Sequence, residues 1–345
     1  MVSCAPPMAR VWDWFVYDKA LTTSVGSCHS IHHTSKMLPY FPFGQQFNDK
    51  MGTAPLSESD RLVEVDEHYL PEIDLKRQLL TELPSYYFQA LPSYESAQWD
   101  VVNLVLHNLS RFQPAQFSLR VEGDNWHWHN HLLHEEITFT FGDGASLPQA
   151  PLDWVGRQVQ EDLVLLSGDD ATLVAGQLCF ANDWSLDEKI GLPFWQIHAP
   201  IVPIVEPMMQ AARKFMERLP SGRSFWRTNW SVKVSDQLDM TSRHTPALKQ
   251  RLADRLPYLT PETIGQELFV RIERQTITRL PQSGAILFGI HTYQNLLAQE
   301  AADPERTRRM AQVFSTTPPA MLAYKGMTAL MPALLSYLSD RHHSK

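Results

Sequence analysis

The sequence predicts an α+β fold: a helical first part, a middle folded as an antiparallel sheet, and helices at the end. Three observations carry this. Apolar residues recur at helical spacing from Pro71 to Leu83 and from Trp99 to Leu109. After Pro151 the pattern changes to short apolar runs bounded by turn residues. Helical spacing returns over Pro304–Phe314 and Pro319–Leu338. The chain therefore divides into an extension at 1–36, a mainly helical part at 37–150, a sheet core at 151–298 and C-terminal helices at 299–345.

Within residues 1–36 the stretch Thr22–Ser35 is polar and without periodic pattern. The aromatic patch Val11–Tyr17 is interrupted by Asp13 and lacks the apolar run and cleavage site of a signal peptide. Residues 1–36 are expected to be a disordered or mis-started extension, with Met37 the candidate true start in the second case. Leu56–Val63 carries a capping signal and is expected to form a short helix. The next helix has Pro71 in its first turn and Ile73, Leu75, Leu79 and Leu80 as its apolar stripe, and Pro84 should end it. Val101, Val102, Leu104, Val105 and Leu109 mark the helix after that.

In the middle, Glu161–Leu166 and Thr172–Phe180 read as strands joined across Gly168, Asp169 and Asp170, a hairpin. Ser185 and Glu188 have capping-box spacing and predict a short helix. Ile204–Leu219 is amphipathic through Val205, Met208, Met209, Ala212, Phe215 and Met216. Trp226–Val234, Leu268–Leu280 and Ala285–Tyr293 read as strands, and Leu280–Ala285 as a turn. Two strands, a helical connection and three strands is the order of a PAS domain: a five-stranded antiparallel sheet with the connection crossing one face.

Composition excludes several function classes. The 345 residues, 43% hydrophobic and 20% charged, suit a soluble globular enzyme of the cytoplasm. A net charge of -8 argues against a nucleic-acid partner, and no apolar run is long enough to span a membrane. Cys4, Cys28 and Cys179 are too few and too scattered for an iron–sulfur cluster or a disulfide framework, and Cys179 reads as a buried thiol. There is no Gly-x-Gly-x-x-Gly fingerprint and no phosphate loop. Electrons from reduced nicotinamide would have to arrive through another protein.

Two histidine-bearing segments compete as the site. His198 is flanked by Phe194, Trp195 and Ile197 and followed by Pro200 and Pro203. One imidazole against an apolar wall suits the iron of a haem. The plainer reading is a buried histidine satisfied by a backbone carbonyl. The other segment holds His127, His129, His131 and His134. As a strand it would put the first three on one face, as in a non-haem metal site. A polar, partly exposed stretch is the favoured reading there.

Several motifs stand in order along the chain. They are Glu161-Asp-Leu163, Trp184-Ser-Leu-Asp-Glu-Lys-Ile-Gly191, Ile197-His-Ala-Pro200, Arg227-Thr-Asn-Trp230, Glu273-Arg-Gln-Thr276, Leu280-Pro-Gln-Ser-Gly-Ala-Ile-Leu-Phe288 and Ala323-Tyr-Lys-Gly326. Over roughly residues 40–340 the chain resembles the alpha subunit of the haem-dependent oxidative N-demethylases. The resemblance implies a haem b enzyme of PAS type that uses oxygen to demethylate a small secondary amine, dimethylamine. It also implies partner subunits: a reductase carrying FMN and an iron–sulfur cluster, fed by NADPH, and a tetrahydrofolate-binding subunit.

Under that resemblance His198 is the metal ligand, with Trp195 beside the cofactor and Arg274 a candidate for a haem propionate. Arg227, opening the next strand, is the candidate distal group, since a guanidinium stays charged and offers several donors. The ammonium substrate needs a carboxylate or an aromatic face. Glu72 and Glu273 are candidates, with Tyr69 as partner, although Glu72 also suits a helix first turn. Glu273 and Arg274 must point to opposite sheet faces, so at most one faces the pocket. A gas sensor of the same fold without catalysis is the alternative, yet nothing in the chain reads as a signalling module.

Overall fold

The computed structural model describes residues 36–57, 59–199 and 202–343. The expected extension, Lys36 excepted, lies outside them, as do Cys4 and Cys28. The described residues belong to one compact unit. In chain order the first half holds β1 (Ala54–Pro55), α1 (Tyr69–Glu82), α2 (Pro84–Tyr87), β2 (Phe88–Ala90) and α3 (Glu95–Phe112). A meander of β3 (Phe117–Glu122), β4 (Asn125–Asn130) and β5 (Glu135–Thr140) precedes α4 (Pro151–Gly156). The hairpin β6 (Asp162–Leu166) and β7 (Leu173–Gln177) leads to α5 (Phe194–Ile197) and α6 (Val202–Arg218). Then come β8 (Ser224–Lys233), α7 (Thr245–Arg255), α8 (Ile264–Glu267), β9 (Phe269–Arg279) and β10 (Ile286–Leu296). Helices α9 (Leu297–Glu300), α10 (Pro304–Thr316), α11 (Pro319–Tyr324) and α12 (Met331–His343) close the described chain.

The mixed α+β class holds, and the long elements fall where the periodicity puts them. The sheet is larger than the five strands expected: seven, in the order β1-β8-β9-β10-β6-β7-β2, with antiparallel neighbours. The extra edges come from the first half of the chain. These strands are two and three residues long, too short to leave a periodic signal.

Three local expectations fail for physical reasons, and one element was not foreseen. Beside its helices the first part carries β3–β5, a separate three-stranded sheet. Its signals were legible: Trp126, Trp128 and Asn130 alternate inward, and Gly123 takes the left-handed φ of +60° that the β3–β4 turn requires. Leu56–Val63 forms no helix. Its backbone groups take tertiary partners, with the Leu62 and Val63 amides on Asn108 and the Arg61 and Leu62 carbonyls on Arg274. Ser185–Lys189 makes a single turn, ended by Gly191 at φ +79°, and the Ser185 hydroxyl accepts from Ser242. The Pro319–Leu338 helix is two, split where Gly326 at φ +69° lets the Met327 amide reach back to Leu322.

The large sheet is covered on both faces. On one, Val164, Leu166, Ile277, Ile286 and Ile290 pack with Met216 of α6, with Leu219 just after it, and with Phe194 and Ile197 of α5. This is the connection face. Arg279 fastens it, donating to the Met216 and Leu219 carbonyls at the C-terminal end of α6 at 2.7 and 2.9 Å. On the opposite, helical face, Leu163, Leu165 and Leu287 pack with α3 and α4, while Val270, Ile272 and Tyr293 pack with α10 and α12.

The helical face also buries charge. His291 on β10 is fully buried between Glu161 at 3.0 Å and Asp66 at 3.5 Å. Burial alone would lower its pKa, but the two carboxylates outweigh that and raise it to about 10. A raised folded pKa stabilises fully below the unfolded value of about 6.5, and that contribution is lost as pH rises through about 10. His291→Ala leaves Glu161 buried without its partner, and the expected loss is about 3–5 kcal/mol. Urea unfolding at several pH values checks this. Wild type should lose stability between pH 6.5 and 10 more steeply than the variant; equal slopes and equal stabilities would refute the clamp.

Candidate functional site

His198 follows α5, a single helical turn set off by Pro193. Its Nδ1 lies 2.9 Å from the Phe194 carbonyl, which can only accept, so Nδ1 carries the proton. The Nε2 lone pair is left free, with no hydrogen bond among the described residues. The ring lies 4.2 Å from the Phe194 ring. Burial lowers the His198 pKa, and Lys189 and Arg227 push the same way, so the imidazole is neutral at pH 7. A neutral ring with one nitrogen tied to a carbonyl and the other free is the state a metal ligand needs. The backbone-satisfied reading of His198 is thus compatible with the ligand reading, because each uses a different nitrogen.

Arg227 stands on the same face. Register pairs it with Gln275, and Phe225 with Ile277, so β8 and β9 present these residues toward α5 and α6. Arg227 Nη1 donates to Gln275 Oε1 at 3.2 Å, and Nε is buried with no partner. Burial lowers its pKa, opposed by Glu273. Gln275 Nε2 in turn donates to Glu273 Oε2 at 2.9 Å. Glu273, the register partner of Asn229, accepts a second amide hydrogen from it at 3.3 Å. Glu273 Oε1 takes no hydrogen bond among the described residues.

The other sequence-derived candidates lie elsewhere. Arg274 points to the helical face, as alternation along β9 requires. It is engaged by the Arg61 and Leu62 carbonyls at 2.5 and 3.1 Å and by Glu64 at 3.5 Å. Glu72 is buried on that same face, accepting from Gln160 at 2.7 Å, and burial lifts its pKa to about 7. Tyr69 donates to the Gln158 carbonyl at 2.9 Å and accepts from Asn130 at 2.7 Å. The structure brings His198, Arg227 and Glu273 to one face, and Glu72, Tyr69 and Arg274 to the network on the other. Trp195 turns outward from α5 and is 58% exposed.

The histidine-rich segment is β4 and the turn after it. His127 faces outward, bonded to Thr138 at 2.8 Å, while the His129 and His131 rings lie 3.8 Å apart between centroids, tilted by 40°. No group of three or more His, Cys, Asp or Glu side chains among the described residues is arranged to hold a metal ion. Cys179 is buried, as its apolar run predicts.

Sequence reading missed Gln275, Asn229 and Lys325, which join Arg227 and Glu273 in one hydrogen-bonded chain. A signal existed: Arg227 and Asn229 sit two apart on β8, the spacing of one strand face.

The donor set suits a haem. It has a neutral imidazole with a free nitrogen, apolar side chains of α5, β8 and β10 around it, and an orphaned guanidinium nitrogen on the same face. No helix among the described residues is long and apolar enough to cross a membrane. The profile of the family "Haem-dependent oxidative N-demethylase, alpha subunit-like" matches residues 53–335, which contain all of these residues. The chain belongs to the haem-dependent oxidative N-demethylase alpha-subunit-like family.

Proposed function

We propose that this chain is the catalytic subunit of an oxygen-dependent demethylase of small secondary amines, with His198 as haem ligand and Arg227 as distal donor. The observation that carries it is His198, its Nδ1 tied to Phe194 and its Nε2 free, on the face where Arg227 Nε lacks a partner. A haem held by His198 would supply an iron that can bind oxygen and accept and pass on electrons. The overall change for dimethylamine consumes oxygen, two electrons and two protons, and yields methylamine, formaldehyde and water.

The residues of this chain have separable tasks. The Phe194 carbonyl fixes the tautomer and orientation of His198. Phe194, Ile197, Phe225 and Phe288 belong to the apolar cluster that would cover the ring and exclude water. Arg227 offers a fixed positive charge where negative charge develops on oxygen, already paid for in folding. Glu273, with its unbonded Oε1, is the carboxylate on this face that suits the ammonium of the substrate. Glu72 and Tyr69 support the scaffold of the opposite face rather than touch substrate. The PAS-like reading of the core belongs to the same proposal. It is supported by five contiguous inner strands, in the order β7-β6-β10-β9-β8, with α5 and α6 against one face.

The electrons need a partner, because the described residues offer a single cysteine. A reductase subunit with FMN and an iron–sulfur cluster, drawing on NADPH, fits that need, and a tetrahydrofolate-binding subunit fits the formaldehyde produced. Trp195, outward beside the ligand helix, is a natural place for the reductase to meet the haem edge.

Two variants test the site. His198→Ala should lose haem or hold it weakly, read as loss of the Soret band after purification. Full occupancy with an unchanged spectrum would rule His198 out. Arg227→Ala should keep haem and lose turnover by about 10²–10³-fold, the scale of removing one preorganised donor. Formaldehyde formation near the wild-type rate in that variant would rule out its distal role.

A further inference from the structure

The polar chain that starts at Arg227 continues past Glu273 to a second cation. Asn229 gives one amide hydrogen to Glu273, and its Oδ1 accepts from Lys325 Nζ at 3.4 Å. Lys325 caps the last turn of α11 and reaches the edge of β8, donating to the Trp230 carbonyl at 2.7 Å with its ammonium 4.5 Å over the Trp230 ring. Gln275 and Asn229 thus turn their NH2 groups to one carboxylate and their oxygens to one cation each. Two cations share one carboxylate, and a cationic substrate would be a third.

We propose that Lys325 competes with the protonated amine for the charge of Glu273, and so sets how tightly this face holds its substrate. The inference rests on the reading of Glu273 as amine anchor and deepens it by assigning a residue that regulates the anchor.

The surroundings of Lys325 make the competition switchable. Glu273 faces it from β9, Arg227 and Lys233 from β8, and Tyr324 adjoins it in the chain. Lys233 is held by Asp183 at 2.7 Å. Burial lowers the Lys325 pKa to about 8, Arg227 and Lys233 push the same way, and Glu273 opposes them. Below pH 8 Lys325 is charged, offsets Glu273 and repels an ammonium. Above it Lys325 is neutral, while a dialkylamine, the stronger base, keeps its proton. Glu273 then meets the substrate with Arg227 as its one remaining cation on this chain of hydrogen bonds.

The test is calorimetric binding of dimethylamine hydrochloride to the haem-loaded chain at pH 7 and pH 9, with no turnover required. Wild type should bind about tenfold more tightly at pH 9, the scale of one nearby charge in partly screened surroundings. Lys325→Met, never charged, should bind tightly at both values. Lys325→Arg, always charged, should bind weakly at both. A wild type that binds equally at the two pH values, or the same pH ratio in all three proteins, overturns the inference. Should Lys325→Met not fold, wild type against Lys325→Arg decides it alone. Glu273→Gln separates the two levels: amine affinity unchanged in that variant overturns the anchor itself. Affinity lost there, with the pH ratio untouched by Lys325, overturns only the competition.

Discussion

Strand β9 is buried on both faces and yet carries Arg271, Glu273, Arg274 and Gln275 within five residues. Charged groups withdrawn from water on this scale persist only when each is paired or hydrogen-bonded. The period of two along the strand then divides the task. Arg274 must be satisfied on the helical face, and the Arg61–Glu64 segment is drawn across the sheet to do it. Glu273 and Gln275 must be satisfied on the connection face, and Arg227 and Asn229 of β8 meet them in register. Much of the molecule can be understood as the means of satisfying one strand.

The two faces solve the problem differently. On the helical face charged groups are paired across the sheet: His291 with Glu161 and Asp66, and Tyr40 and Tyr293 with Glu64. Such a network holds the sheet to the segments packed on it. On the connection face Arg227 Nε is buried without a partner, and Glu273 Oε1 and His198 Nε2 take no hydrogen bond among the described residues. A buried polar atom without a partner is costly, and a ligand that satisfies it recovers that cost. Orphaned atoms occur on the helical face as well, at His291 Nε2 and Glu161 Oε2, so the proposed haem site rests on the neutral imidazole and the apolar side chains beside Arg227.

The long elements were legible because their periodicity covers ten or more residues. Alternation on β9 already required Glu273 and Arg274 to part company, and the structure adds which of them keeps company with His198. The placement of Glu72 was not legible. A first-turn carboxylate and a site carboxylate look alike in sequence, and only the partner Gln160, 88 residues away, distinguishes them. Lys325 was likewise hidden, since its partners Asn229 and Trp230 lie 96 and 95 residues away. Edge strands β1 and β2 escaped because pairing with a sheet, not their own pattern, makes them strands.

The most direct test of which face binds haem is amide hydrogen exchange on the chain with and without it. Strands β9 and β10 are central and exchange slowly in either state, so the informative segments are the margins. Haem binding should slow exchange at 194–198 and along 225–229, and leave residues 61–72 unchanged. Protection that instead appears around residues 61–72, with 194–198 unaffected, would contradict the assignment of His198 and its face.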